Sequence, residues 1–178
     1  MSKLTRTLKD LVSSIALVIA VAAVGIVATG TWPFLVAVES GSMEPNLNKG
    51  DVVLLVSVGR TGGITTWIEG KEKDYVSFGN YGDVIVYRPD GKGKLIIHRA
   101  IAYVREGDLI PILVDGKLIY TGERARSSGY ITQGDNIFTN PVPDQIAFKI
   151  DPVKEEWIVG VAKFRVPLVG YLRLIIPI

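Results

Sequence analysis

The chain has 178 residues, a formal net charge of +2 and 48% hydrophobic residues, enough for one anchored domain with a core of its own. It contains no cysteine, which excludes disulfides, thiolate nucleophiles and thiolate metal sites, and a single histidine, His98, which excludes multi-histidine zinc centres. Lys and Arg are scattered rather than clustered, which argues against a nucleic-acid face.

Residues 1–10 carry Lys3, Arg6 and Lys9, and no charge follows between Leu11 and Val38. A membrane helix needs about 20 mostly apolar residues. The run therefore predicts a transmembrane anchor over residues 11–34, with Trp32 and Phe34 at the far interface. The basic residues ahead of it predict that residues 1–10 are cytoplasmic and that the remainder lies on the extracytoplasmic side. The competing reading is a leader cleaved near Ala37. The retained anchor is preferred, because the uncharged run is long for a removable leader and passes straight into a polar turn at Ser40–Pro45.

Beyond the anchor, Asp51–Val56 reads as a valine-rich strand, and Gly59–Asp74 as an exposed loop rich in glycine, threonine and charge. A second strand spans Gly82–Arg88 and is stopped by Pro89; a turn at Asp90–Lys94 leads into extended structure over Leu95–Val104. Leu109–Val114 and Lys117–Tyr120 flank Asp115-Gly116, a strong hairpin signal. Short strands are expected at Tyr130–Thr132 and Trp157–Phe164. Residues 166–178 are apolar but broken by Arg173 and two prolines, so they read as an interfacial or packed segment rather than a second span. Many short strands with frequent turns predict a mostly β domain over residues 35–165, an extended antiparallel sheet or partial barrel.

Four side chains could support chemistry together: Ser42, His98, Asp135 and Asp144. A serine hydroxyl is a poor nucleophile without a base, imidazole is the side chain whose ordinary titration suits that task near neutrality, and an aspartate would orient it. Each also has a plain structural reading. Ser42 fits an ordinary polar turn, His98 a half-buried sheet residue, Asp135 a turn cap and Asp144 a solvated loop acid. Asp51 and Asp83, each between a glycine and a strand, read as turn acids. The spacing of the four does not by itself choose between these readings.

The motifs Ser40-Gly41-Ser42-Met43-Glu44-Pro45, Gly50-Asp51-Val52-Val53, Gly82-Asp83-Val84-Ile85-Val86, Ile97-His98-Arg99, Gly134-Asp135-Asn136 and Asn140-Pro141-Val142-Pro143-Asp144 change the weights. In this order, behind an N-terminal span, they resemble the type I signal peptidases of the branch found in archaea and the endoplasmic reticulum. The resemblance implies an extended, mostly antiparallel β domain lying against the membrane. It implies a nucleophile at Ser42, a base at His98 where bacterial members use lysine, a triad acid at Asp144 and a second important acid at Asp135. Ser40 sits where a hydroxyl helps bind the oxyanion. The chain departs from the family's continuous Gly-Asp-Asn-Asn-Pro by the insertion Ile137-Phe138-Thr139, which leaves both aspartates as candidates for the contact with His98.

The function so implied is a membrane-bound serine endopeptidase that removes signal peptides from secreted preproteins. Its partners would be those signal peptides, membrane lipid and the secretion translocon. No metal or organic cofactor is expected, because the chemistry needs only protein groups. An extended substrate could pair with a sheet edge, and the run Leu35–Val38 could form that edge, with Val36 and Val38 contacting substrate. The alternative is a non-catalytic, membrane-anchored β module that binds or scaffolds a partner.

Overall fold

The computed structural model describes residues 3–167. Helix α1 runs from Lys3 to Thr29, and its stretch from Thr5 to Thr29 has a mean hydropathy of 2.7. Its apolar side chains are exposed along its length, Leu17 and Val24 among them. It is long and apolar enough to cross a membrane. It starts earlier than the expected anchor and stops at Thr29, so that residues 30–34 form the link into the sheet.

The strands are β1 (Leu35–Ala37), β2 (Val52–Val56), β3 (Val76–Ser77), β4 (Asn80–Tyr81), β5 (Val84–Tyr87), β6 (Ile96–Val104), β7 (Leu109–Val114), β8 (Lys117–Arg124), β9 (Gly129–Gln133) and β10 (Ile158–Val166). Six of them form one antiparallel sheet in the order β1-β2-β10-β5-β6-β9, curled into a half-barrel. The mostly β expectation holds, and β1 does form an edge of the sheet.

Strand alternation sends successive residues to opposite faces. On β5, Val84 and Val86 join Val36, Val38, Met43 and Val53 in one core, whereas Ile85 and Tyr87 join Ala100, Val153 and Val161 in another. All four residues of β5 are buried, which is why its sequence is a continuous apolar run rather than an alternating one. Each such side chain contributes about 1.5–3 kcal/mol relative to an exposed position.

The hairpin of β7 and β8 turns at Asp115 (φ 48°) and Gly116 (φ 71°), the pair of positive φ angles that a two-residue turn of this twist demands. Its second strand runs on to Arg124, beyond the expected end at Tyr120.

The expected loop over Gly59–Asp74 is instead largely helical. It holds most of α2 (Val58–Thr61) and all of α3 (Trp67–Lys73). A capping box starts α3: Thr66 Oγ1 accepts from the Glu69 amide, and the Glu69 carboxylate accepts from the Thr66 amide. Trp67, 3% exposed, packs into a third core with Ile101 and Ile131, so burial rather than length stabilises this short helix. A last helix, α4, covers Asp144–Ala147. The late strand extends to Val166, and the remainder of the expected apolar C-terminal segment, residues 168–178, lies outside the described residues.

Candidate active site

The site forms where three parts of the chain meet: the turn after β1, the start of β6, and the loop from the end of β9 into α4. Ser42 lies in a turn closed by backbone bonds from the Glu44 amide to the Gly41 carbonyl and from the Asn46 and Leu47 amides to the Met43 carbonyl. Met43, 1% exposed, plugs the core and pins the turn. From the far side, the Asn136 amide donates to the Ser42 carbonyl at 2.9 Å, and the Asn136 side chain donates to the Gly41 carbonyl at 2.9 Å. Asn140 Nδ2 adds a bond to the Ser42 carbonyl at 3.3 Å. Gly134 is required for this approach: a Cβ there would stand 2.5 Å from the Ser42 carbonyl oxygen. The insertion Ile137–Thr139 bulges outward, leaving Phe138 95% exposed, and both asparagines still reach the serine turn.

His98 pairs with Ile85 across the β5–β6 ladder. Its Nδ1 lies 2.7 Å from Asp144 Oδ2 and 2.9 Å from Oδ1. Both residues are buried, Asp144 to 1% exposure. Tyr87 OH donates to Asp144 Oδ2 at 2.7 Å, and Thr132 Oγ1 lies 2.7 Å from the same oxygen. An ionised carboxylate only accepts, so Nδ1 carries the ring proton and Nε2 is left as the acceptor. Burial, then the adjacent Asp144 charge, drives the Tyr87 phenol far above its ordinary range, so it stays a proton donor.

Ser42 and His98 line the same groove, a cavity of about 650 Å³. Val36, Val38, Ile96 and Ile97 are among its lining residues. Ser40, exposed, places its Oγ 3.1 Å from Ser42 Oγ. Among the described residues no hydrogen bond joins Ser42 Oγ to the imidazole.

Asp135 is elsewhere. Arg99 follows His98 in β6 and so points to the opposite face. Its guanidinium meets Asp135 through Nε at 2.7 Å and Nη2 at 2.6 Å. Arg99 also donates to main-chain carbonyls including those of Ser77 and Gly82, and Asn46 Nδ2 donates to Asp135 Oδ2 at 2.8 Å. Asp135 therefore ties the β3–β4 hairpin to the segment just past the serine turn and does not contact the imidazole. Asp83 and Asp51 do more than cap their turns, since each also meets a cation of β10, Lys163 and Arg165. Asp83 accepts from Lys163 Nζ at 2.8 Å and from the Thr65 amide, and Asp51 accepts from the Asn48 amide. Burial alone would lower the Lys163 pKa, but its bonds to Asp83 and Tyr75 outweigh that and raise it.

Sequence reasoning missed Tyr87, Thr132, Asn136 and Asn140 as parts of the site. Tyr87 ends an apolar strand and Thr132 a short one, so neither carried a signal. The two asparagines lay inside quoted motifs without an assigned role.

The profile of the family described as signal peptidase, peptidase S26, matches residues 8–157. A signal peptidase complex catalytic subunit SEC11 from Yarrowia lipolytica is 33% identical over 157 residues, 85% of this chain and 67% of that protein. Its counterpart from Lachancea thermotolerans is 29% identical over 148 residues, 83% of this chain and 68% of that protein. One from Saccharomyces cerevisiae is 28% identical over the same share of each. The match spans most of α1, the serine turn, both strands that frame His98, and the loop that supplies Asp144, and on that evidence the chain belongs to the signal peptidases of the peptidase S26 family.

Proposed function

We propose that this chain is a membrane-anchored serine endopeptidase that removes signal peptides from preproteins, with Ser42 as nucleophile, His98 as general base and Asp144 as its orienting acid. The observation that carries the assignment is the His98 Nδ1–Asp144 bond of 2.7 Å, with His98 lining the groove that also holds Ser42. For the reaction Ser42 Oγ exchanges its contact with Ser40 for one with Nε2; such bonds commonly tighten only when substrate binds. Ser42 Oγ then attacks the scissile carbonyl carbon while Nε2 takes its proton. The tetrahedral intermediate collapses as the imidazolium returns that proton to the leaving amine, and the signal peptide stays esterified to Ser42. Water, deprotonated by His98, cleaves the ester and restores the hydroxyl. Ser40 Oγ, once released from Ser42, donates to the oxyanion.

The substrate lies extended along β1, so backbone bonds hold it, while Val36 and Val38 shape shallow pockets for small side chains. Helix α1 is the anchor from Leu11 onward, residues 1–10 are cytoplasmic, and the sheet stands on the extracytoplasmic side, where a membrane-inserted signal peptide presents its cut site. Confinement to one bilayer raises the effective concentration of enzyme and substrate. Membrane lipid and signal peptides are thus the partners, with the secretion translocon delivering the latter.

The test is to incubate the detergent-solubilised full chain with a preprotein and read the product mass. The wild type yields a shortened chain with a new N-terminus after a small residue, and Ser42→Ala yields none. Cleavage that survives Ser42→Ala refutes the assignment.

A further inference from the structure

The joint between α1 and the sheet is built more firmly than a tether requires. A helix ends with four carbonyls that lack intrahelical partners, and lipid offers them none. Here each of the four has a donor from the protein. Gly30 N bonds the Ile26 carbonyl at 2.7 Å, and Ser57 N bonds that of Thr29 at 2.9 Å. The Val27 and Ala28 carbonyls both accept from Arg60 Nη1, the latter at 2.8 Å. The last turn of α1 has no basic residue of its own, so Arg60, from α2, supplies the cation that the negative end of the helix favours. Two further contacts brace the joint. A Cβ at Gly25 would stand 2.3 Å from the tip of the Phe34 ring, so that ring presses against the helix where only glycine leaves room, and Thr31 Oγ1 donates to the Val159 carbonyl in β10.

We propose that Arg60 is a positioning residue for cut-site choice, locking the sheet to the end of α1 so that the groove stands at one height above the bilayer. The inference rests on the peptidase reading above. An extended substrate advances about 3.4 Å per residue, so a joint that rocked by that much would move the cut by one position. Shallow apolar pockets discriminate by only about 1–3 kcal/mol per methylene, too little to separate adjacent small residues. A fixed height supplies the remaining selection. Arg60 does this through the helix end and touches neither Ser42 nor His98.

The experiment compares two substrates that carry the same run of alanines at the cut site. One is a preprotein inserted in phosphatidylcholine vesicles with the full-length enzyme; the other is a short soluble peptide in detergent. Wild type gives one dominant product from the vesicles. Arg60→Ala gives products that differ by single residues, with a total rate down by up to about tenfold. On the soluble peptide, Arg60→Ala matches wild-type kcat/KM within about twofold, the scale of an ordinary surface substitution. Arg60→Lys, which still offers a cation to the two carbonyls, restores the single product. Hydrogen exchange at Gly30 rises in Arg60→Ala, while that of the β5 amides does not. A wild-type product pattern from vesicles with Arg60→Ala overturns the proposal, as does an equal loss on both substrates. Failure of the wild type to cut either substrate overturns the peptidase reading first, and this inference with it.

Discussion

Adjacent residues of β6 feed two buried acids on opposite faces of the sheet, and the two clusters are built differently. Asp144 receives an imidazole, a phenol and a hydroxyl. Asp135 receives a guanidinium and a carboxamide. Burial does not distinguish them, since the two carboxylate side chains are 1% and 2% exposed. The difference lies in what else each partner can reach. Arg99 is wholly buried and spends its other donors on main-chain carbonyls of residues 77–82. It is a strut. His98 holds its acid with one ring nitrogen and lines the groove beside Ser42, and the proposed mechanism uses its second nitrogen for proton transfer. A paired, buried acid is thus no signature of catalysis; what sets Asp144 apart is a titratable partner that borders a cavity.

Exchanging each acid for its amide separates the two roles. Asp144→Asn can present an NH₂ to Nδ1 and select the wrong tautomer. The expected loss in kcat is about 10⁴, with the fold retained. Asp135→Asn leaves the Arg99 charge buried with its carboxylate partner gone and should cost about 3–5 kcal/mol of stability in urea unfolding. Its kcat should fall far less than that of Asp144→Asn, because only the bracing of the serine turn is weakened. Similar kcat losses in both would erase the distinction.

A second measurement asks whether the His98 cluster extends to the hydroxyl beside Ser42, the proposed nucleophile. Ser40 Oγ sits 3.1 Å from Ser42 Oγ. If it stabilises the oxyanion, Ser40→Ala should lower kcat by about 10²–10³ with little change in KM, less than Ser42→Ala and less than Asp144→Asn. A loss under about threefold would leave Ser40 as a turn residue only.

Much of this was legible in the chain, for identifiable reasons. The hairpin at Asp115-Gly116 and the edge strand before Ser42 follow from turn chemistry and apolar runs. The helical segment at 58–73 was misread because α2 and α3 have four and seven residues, too few for a periodic pattern, although the capping signature Thr66-Trp67-Ile68-Glu69 was in plain view. The separation of the two acids was readable in principle. His98 and Arg99 are consecutive on a strand, so their side chains must leave on opposite faces, and one acid goes to each. Tyr87 and Thr132 were not readable. Their function depends on which residues three strands bring to one face, and that register is set by pairings far apart in sequence.

Tyr87 carries the smallest expected effect and probes how much of the Asp144 environment is electrostatic. Tyr87→Phe removes one donor to a buried carboxylate and should cost about 1.5–3 kcal/mol, the scale of a hydrogen bond to a charged group. It should lower kcat by less than Asp144→Asn, because the imidazole keeps its bond to the acid. The effect has a pH signature. The folded protein holds the Tyr87 phenol protonated well above its ordinary value of 10.0, through burial first and the Asp144 charge second. A group whose folded pKa is raised stabilises fully below the unfolded value and loses that stabilisation as pH climbs past it. The stability gap between wild type and Tyr87→Phe should therefore be constant through neutral pH and narrow above about pH 10, where only the unfolded chain ionises this phenol. Urea unfolding of the two proteins at pH 8 and again at about pH 10.5 measures that gap. A gap that stays constant, or widens, would mean that Tyr87 is not held neutral against Asp144, and that the acid beside His98 is less enclosed than its contacts indicate.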